Sequence, residues 1–511
     1  MTSNSTTAER PTLLGLDLGT SSVKVVLTDP LGRILDQASE AYPVRRPYPG
    51  WAETDPQAWW DAIVTAAARL NTTPGQIAGI GLSGQMHGVV LCTANTTPVR
   101  PAVLWSDTRS EAELDLYRRL PMPVQARLGN PITAGMAGPH LAWLHRNEPD
   151  VLDRARWALQ PKDWVRARLT GQVAAEPSDA SGTLLYDVST QDWDATVIDA
   201  LKIRRSLLAP ILLHSGVAAG TLTPTAAADL GLPAGLPVAA GAADTAAAAL
   251  GTGLLVPGRT QLTIGTGVQI VSIVTGPGTH DAASLQTAPS PSASSYPPPD
   301  AEAPVTHLCR DSTPHGWYAM AASITGGHTL DWVRDLLGAT WTELYAAADR
   351  QPQISDPIFL PHLVGERTPY LDSRLRGSWT GLGANHTRSD LLYAALEGVA
   401  FATAEAFDAL PGSDTVDGLL LAGGGTTSPP LRALLADVLR QPLDAVDVPG
   451  ASARGAGLLG AIAAGLATFD DLKAAGTPPA TRVAAPTARS IVLELRRTRY
   501  RQVLGQLASP G

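Results

Sequence analysis

Three acidic residues and three short glycine-bearing turns carry the chemistry open to this sequence. Asp17 lies inside an otherwise apolar run, LLGLDLGTSSVKVVLTD at 13–29, with Gly19, Thr20, Ser21 and Ser22 just after it. A carboxylate among apolar neighbours needs a partner, because an unpaired buried charge is costly. A divalent cation, or water bound to one, would serve; so would the turn itself, with Asp17 as its cap. The N–H and hydroxyl groups of 19–22 suit phosphate oxygens. Asp244 stands where LPVAAGAADTAAAALGTG (236–253) passes from an apolar strand into an alanine helix. There a carboxylate is a helix cap favoured by the macrodipole. The same placement aims an ionised group out of a strand end, where it can act as a general base toward a hydroxyl. Asp107, with Arg109, follows a third strand end, where α/β proteins put ligand groups; an ion pair or an N-cap is the other reading. Two further turns, Gly265-Thr266-Gly267 and Gly423-Gly424-Gly425, also follow apolar runs.

These residues are positioned by alternating strands and helices. The 13–29 stretch predicts a hairpin, followed by a third strand over 34–46. Asp55 and Pro56 predict an N-cap and first turn for a helix whose Trp59 and Trp60 pack against a sheet. IAGIGLSG at 77–84 reads as a buried strand. Its G-x-G-x-x-G match is not a dinucleotide site, because a further strand (89–91) follows where a helix is required. A second match, Gly455 to Gly460, sits in an alanine-rich helix and serves close packing. TQLTIGTGVQIVSI (260–273) repeats the opening strand-turn-strand pattern, so the chain reads as two halves with similar cores. LLLAGGGTTS (419–428) predicts a strand, a glycine bend and a helix start, an arrangement that binds anions in many α/β proteins. No G-x-x-x-x-G-K-[ST] occurs, which excludes a P-loop.

The bulk composition bounds the class. With 511 residues the chain exceeds one core, and 44% apolar with 17% charged residues fits a globular protein. A net charge of −9 without a basic block argues against nucleic acid as a partner. The two cysteines, Cys92 and Cys309, have no metal-like spacing and suit a reducing compartment. No segment reads as a membrane span and 1–10 lacks a secretory pattern, so a cytoplasmic protein is expected. Residues 1–10 read as a disordered tail, and 276–306, rich in Pro and Ser, as a flexible insertion.

The order of the blocks narrows the choice further. GLDLGTSSVKVVL, WAETDPQAWW (51–60), GLSGQMHGVVL (81–91), PAVLWSDTR (101–109), LQPKDWVRARLTG (159–171), SDASGTLLYDV (178–188), AAGAADTAAAALGTG (239–253), LPHLVGERTP (360–369), ALEGVAFA (395–402) and LLAGGG (420–425) stand in sequence. In that order they resemble the FGGY carbohydrate kinases, most closely the xylulokinase branch. The resemblance implies an α/β fold of two duplicated ribonuclease H-like domains of the actin-like ATPase type, with a cleft between them. It implies a sugar-binding N-terminal domain over 11–255 and a nucleotide-binding C-terminal domain over 256–511. It implies ATP and Mg2+ as cofactors, and transfer of a phosphoryl group to a sugar hydroxyl, D-xylulose to D-xylulose 5-phosphate in the first instance. Asp244 is then the catalytic base. Asp17 manages the metal, through water, and the γ-phosphate. Met86, His87, Asp107 and Thr245 face the sugar. Thr20, Ser21, Gly265, Thr266, Gly267, Gly423, Gly424 and Gly425 hold ATP. The family also implies a homodimer. Thr245 departs from the Asn usual after the base in xylulokinases, and His140 stands where Lys is usual. Kinases of gluconate or ribulose, or a sugar-binding member without catalysis, are the alternatives.

Overall fold

The computed structural model describes residues 11–277 and 304–508. The tail expected at 1–10 and nearly all of the insertion expected at 276–306 lie outside them. The chain forms two compact units. Unit 1 comprises Met1–Leu255, Cys309–Trp317 and Gly450–Thr477; unit 2 comprises Val256–Leu308, Tyr318–Pro449 and Pro478–Gly511.

The main sheet of unit 1 runs Ala218–Thr221, Pro237–Ala239, Ile77–Gly84, Thr12–Leu18, Ser22–Thr28, Ile34–Ala41. Thr12–Leu18 and Ser22–Thr28 form the expected hairpin, with Asp17 opposite Lys24. Ile34–Ala41 pairs antiparallel with the second strand and stops short of the expected 46. Ile77–Gly84 runs parallel to the first strand, placing Ser83 beside Asp17. The helix Pro56–Ala67 begins as its sequence dictates. Asp55 accepts from the Gln57 N–H, Pro56 occupies the first turn, and Trp59 and Trp60 are buried in the core.

On the sheet lies the helix Ala451–Ala463, seated unusually close. A Cβ on Gly15 would stand 2.5 Å from the Ala453 carbonyl oxygen, and one on Gly81 would overlap the Ala456 carbonyl. A Cβ on Gly455 or Gly251 would likewise fall on backbone of the neighbouring helix, Asp244–Gly251 and Ala451–Ala463 respectively. Only glycine admits this approach, so the second G-x-G-x-x-G match is a packing device, as expected.

Unit 2 repeats the arrangement. Its sheet runs His307–Arg310, Trp317–Ser323, Val268–Val274, Thr260–Ile264, Leu419–Ala422, Leu443–Val446, Ala480–Ala484. Thr260–Ile264 and Val268–Val274 form an antiparallel hairpin. Leu419–Ala422 runs parallel to the first of them and Leu443–Val446 parallel in turn. In both units the hairpin is followed on one side by two parallel strands and an antiparallel edge; on the other side unit 1 has its third strand, whereas unit 2 has Trp317–Ser323 with His307–Arg310 outside it. The core of unit 2 is built on Leu262, Ile264, Phe359, Phe401 and Leu421, with the long helix Arg388–Asp408 through its middle.

Candidate active site

In unit 1 three neighbouring strand ends bring the sequence-predicted residues together. Asp17 pairs with Ser83, and Ala242 and Ala243 pair with Ser83 and Gly84, so Asp244 leaves the sheet where Gln85 does. Asp244 is the first residue of its helix; the N-cap position belongs to Ala243. Its Oδ1 accepts from the Thr245 N–H at 2.6 Å and from the Thr245 hydroxyl at 3.3 Å. Burial pushes the Asp244 carboxyl up to about 6, partly offset by those two bonds. The Asp17 carboxyl is pushed up to about 6 by burial first and then by the charge of Asp244, with Ser83 and Lys24 acting in the opposite direction. Two raised carboxyls, one of them lifted in part by the charge of the other, invite a cation or a proton.

The first turn is held firmly. The Gly19 N–H donates to the Ser22 carbonyl at 3.0 Å. The Gly19 carbonyl accepts from Gln85 Nε2 at 3.0 Å and from the Tyr42 hydroxyl. Trp105 Nε1 donates to the Thr20 hydroxyl at 2.9 Å, tying the turn to the 101–109 block. Ser21 is exposed. Gln85, Tyr42 and Trp105 were not among the expected site residues; their hydrogen bonds span 66, 23 and 85 positions and no local spacing announces them.

Met86 is buried, and His87 has a left-handed backbone with φ of 69°, rare for a side chain other than Gly or Asn. His87 Nδ1 lies 2.5 Å from the Gly182 carbonyl oxygen, which fixes Nδ1 as the protonated nitrogen. Gly182 sits against both side chains, and a Cβ on it would come within 2.9 Å of the Met86 methyl. Asp107 is fully buried with both oxygens already in use. Oδ1 accepts from the Arg109 N–H and Nε, each at 2.9 Å, and Oδ2 from Arg109 Nη2 and the Ala52 N–H, each at 2.6 Å. The geometry is the ion pair that was the other reading of this block, and Arg109 stacks 3.5 Å over the Trp51 ring. His140 is fully buried beside Ser110 Oγ at 3.1 Å; burial pulls it down to about 4, so it is neutral at pH 7 and carries none of the charge of a Lys.

Unit 2 supplies the other two turns. The Gly265 N–H donates to Gly267 at 2.9 Å, and the carbonyls of Gly265 and Thr266 accept from Gly327 and His328 at the start of the helix Gly327–Leu336, each at 2.9 Å. Thr266 is exposed. Beneath it a Cβ on Gly267 would fall on the Ser323 carbonyl. Glu366 of the 360–369 block braces that segment, accepting from Ser323 Oγ at 2.9 Å and the Ile324 N–H at 2.8 Å. Gly423, with φ of 87°, and the turn Gly424–Thr426 lie beside Ile264, whose carbonyl a Cβ on Gly425 would meet. The following helix Pro429–Leu439 opens on Pro429 and Pro430, neither of which has an N–H. That removes two of the donors expected of an anion-binding helix start and leaves the glycine backbone as the polar surface there.

A duplicated mixed sheet, with a glycine-threonine hairpin turn in each copy, defines the actin-like ATPase fold in the form used by sugar kinases. The chain belongs to the FGGY family of carbohydrate kinases, whose N-terminal domain matches residues 12–251 and whose C-terminal domain matches 289–464. It is 34% identical over 436 residues to the xylulose kinase of Escherichia coli, covering 84% of this chain and 85% of that one. It is 31% identical to the glycerol kinase of Gloeobacter violaceus, covering 94% of each. A structure described as a xyloylose kinase from Brucella ovis superposes with a TM-score of 0.86 at 33% identity, covering 97% of this chain and 99% of that one. The protein is thus an ATP-dependent carbohydrate kinase. Among the described residues no helix is long and apolar enough to cross a membrane.

Proposed function

We propose that this kinase converts D-xylulose to D-xylulose 5-phosphate, with Asp244 as general base. The observation that carries the reading is the register joining Ala242 and Ala243 to Ser83 and Gly84. It brings Asp244 and the Gln85-Met86-His87 segment out of adjacent strand ends, which supports a site that takes a polyol along both. The names of the E. coli and Brucella relatives support the sugar; the glycerol kinase relative makes glycerol a competitor to be tested.

Unit 1 would hold the sugar, with Met86 and His87 along it, and Asp244 oriented by Thr245 toward the terminal hydroxyl. Thr245 acts through the carboxylate it bonds. Asp107 acts through Arg109 and the 50–52 turn rather than by direct contact. The hydroxyl proton passes to the Asp244 carboxylate as the phosphoryl group arrives in line; positioning and charge stabilisation supply the rest of the rate. Thr20 and Ser21 of unit 1, and Gly265 to Gly267 with Gly423 to Gly425 of unit 2, are the candidates for holding ATP.

Mg2+ fits Asp17. Among the described residues no group of three His, Cys, Asp or Glu side chains forms a ready-made metal cage. Mg2+ needs none, since it keeps waters and takes one or two carboxylates with substrate phosphates. The like charge that lifts Asp17 is the kind a cation would relieve. Bound there, Mg2+ would neutralise phosphate charge.

A coupled ADP-release assay across D-xylulose, L-ribulose, D-gluconate and glycerol tests the substrate, with the highest kcat/KM expected for D-xylulose. A clear preference for another of the four replaces it. Asp244→Asn should lower kcat by about 10²-fold or more with sugar binding retained; near-normal turnover would remove Asp244 as the base.

A further inference from the structure

Two blocks of the sequence, LQPKDWVRARLTG and SDASGTLLYDV, have no part in the reaction as described. They meet in a fully buried ionic cluster below Asp244. Lys162, Asp163 and Arg166 come from the helix Pro161–Thr170, Glu176 caps the helix Pro177–Ala180, and Ser178 and Asp179 lie within it. None of the six is more than 1% exposed. Lys162 Nζ stands 2.7 Å from Asp163, 3.4 Å from Glu176 and 3.4 Å from Asp179; Arg166 lies 2.7 Å from Asp163. The lysine stem passes under the site. A Cβ on Gly84 would meet its Cβ at 2.9 Å, and one on Gly241 its Cδ at 3.2 Å. Glycines therefore flank Lys162 on the strand end that leads to Gln85 and on the segment that leads to Asp244.

Glu176 accepts from four donors: the Ser178 N–H at 3.0 Å and Ser215 Oγ at 2.5 Å on Oε1, and Ser178 Oγ at 2.7 Å and the Asp179 N–H at 3.3 Å on Oε2. Both Glu176 oxygens are thereby occupied by hydrogen-bond partners. A buried carboxylate needs a nearby cation, and Lys162 is one: its carboxylate neighbours outweigh burial and keep it charged. With its single proton committed to Glu176, the Ser178 hydroxyl has only lone pairs left. One of them accepts the Ala243 N–H at 2.9 Å. Ala243 is the N-cap residue immediately before Asp244.

We infer that Lys162, Glu176 and Ser178 form a positioning relay, in which Lys162 pairs with Glu176, Glu176 orients the Ser178 hydroxyl, and that hydroxyl fixes the Ala243 N–H and with it the Asp244 carboxylate. Burial holds the neighbouring Asp179 carboxyl well above the usual carboxylate range. The inference rests on Asp244 being the base.

Ser178→Ala removes the acceptor with little change in volume. It should lower kcat about tenfold while leaving KM for ATP and the sugar dissociation constant within about twofold, because a displaced base affects the chemical step. In an Asp244→Asn background the same substitution should have no further effect on kcat, since the carboxylate it positions is gone. A simple packing lesion would subtract equally in both backgrounds, and that result, or unchanged kcat in Ser178→Ala, overturns the relay. Lys162→Met should reproduce the kcat loss; if it does not fold, the Ser178 pair decides alone. Normal turnover in Asp244→Asn defeats the base assignment itself, whereas an impaired Asp244→Asn beside a normal Ser178→Ala defeats only the relay.

Discussion

The two hairpin turns occupy the same place beside two parallel strands and an antiparallel edge, yet they differ in the residue two before the glycine. Asp17-Leu18-Gly19-Thr20 in unit 1 corresponds to Thr263-Ile264-Gly265-Thr266 in unit 2. Asp17 is opposite Lys24 and beside Ser83; Thr263 is opposite Gln269 and beside Ala422. Only the first copy has an acid at the strand end, and it has a second acid, Asp244, in range. The carboxylate that serves the other turn is Glu366, and its condition is the reverse. Burial alone would raise it, but hydrogen bonds from His362, Ile324 and the 323–325 hydroxyls outweigh burial and hold it below the usual range. Beside its turn unit 1 keeps Asp17 and Asp244 raised, as groups awaiting a ligand are; beside its own turn unit 2 keeps Glu366 lowered by its hydrogen bonds, as a strut is. One duplicated frame has been divided between chemistry and support.

The largest test of that division exchanges the corresponding side chains. Asp17→Ala should cost about 10²-fold in kcat/KM and abolish the Mg2+ dependence of the rate, whereas Thr263→Ala should stay within about threefold. Equal losses at both positions would break the comparison. Next come the glycines of the second turn. Gly267→Ala drives a methyl onto the Ser323 carbonyl and should destabilise by about 1–3 kcal/mol in chemical denaturation. Gly265→Ala meets nothing within 4 Å and should fall within about 0.5 kcal/mol of the parent.

The smallest effect is in pH, and its sign separates the units. Asp244 is raised in the folded state from 3.8 to about 6, so the folded state binds its proton more tightly. Between those values rising pH ionises the unfolded chain first and lowers stability; above about 6 the penalty is complete. Asp244→Asn should therefore raise Tm by a few degrees at pH 7.5, and less at pH 4.5. Glu366 is lowered, so its stabilisation is present above 4.5 and is lost as pH falls through its folded value. Glu366→Gln should lower Tm at pH 7.5 and matter less in acid. Thermal melts without nucleotide or Mg2+ read both; shifts of the same sign would sink the contrast.

Much of this division is legible in the sequence because it is local. The hairpins announce themselves through apolar runs around small polar turns, and an Asp inside such a run marks itself as unusual. The glycines at 455–460 could be assigned to packing because the residues around them are alanine and the context is helical. What the sequence does not reveal is set by pairs distant along the chain. Asp107 reads as a ligand group until Ala52, 55 positions away, supplies one of its donors. Ser178 meets Ala243 across 65 positions, so nothing local in the sequence ties the 178–188 block to the segment before Asp244. Pro429 and Pro430 were visible, but their effect on the expected anion site depends on the helix beginning at that residue.

The close seat of the helix Ala451–Ala463 has a consequence for biosynthesis. The sheet it covers is finished by residue 243, but the surface around Gly15 and Gly81 has no cover until residue 463 has been made. At ordinary elongation rates of about 5–20 residues per second, the nascent first sheet stands open for roughly 10–40 s after its last strand emerges. Early termination anywhere in that interval would leave an apolar sheet face bare. Such fragments are natural clients for holdase chaperones, and trigger-factor-type crosslinking to ribosome-arrested chains should drop only once the arrest point moves past the close of this helix.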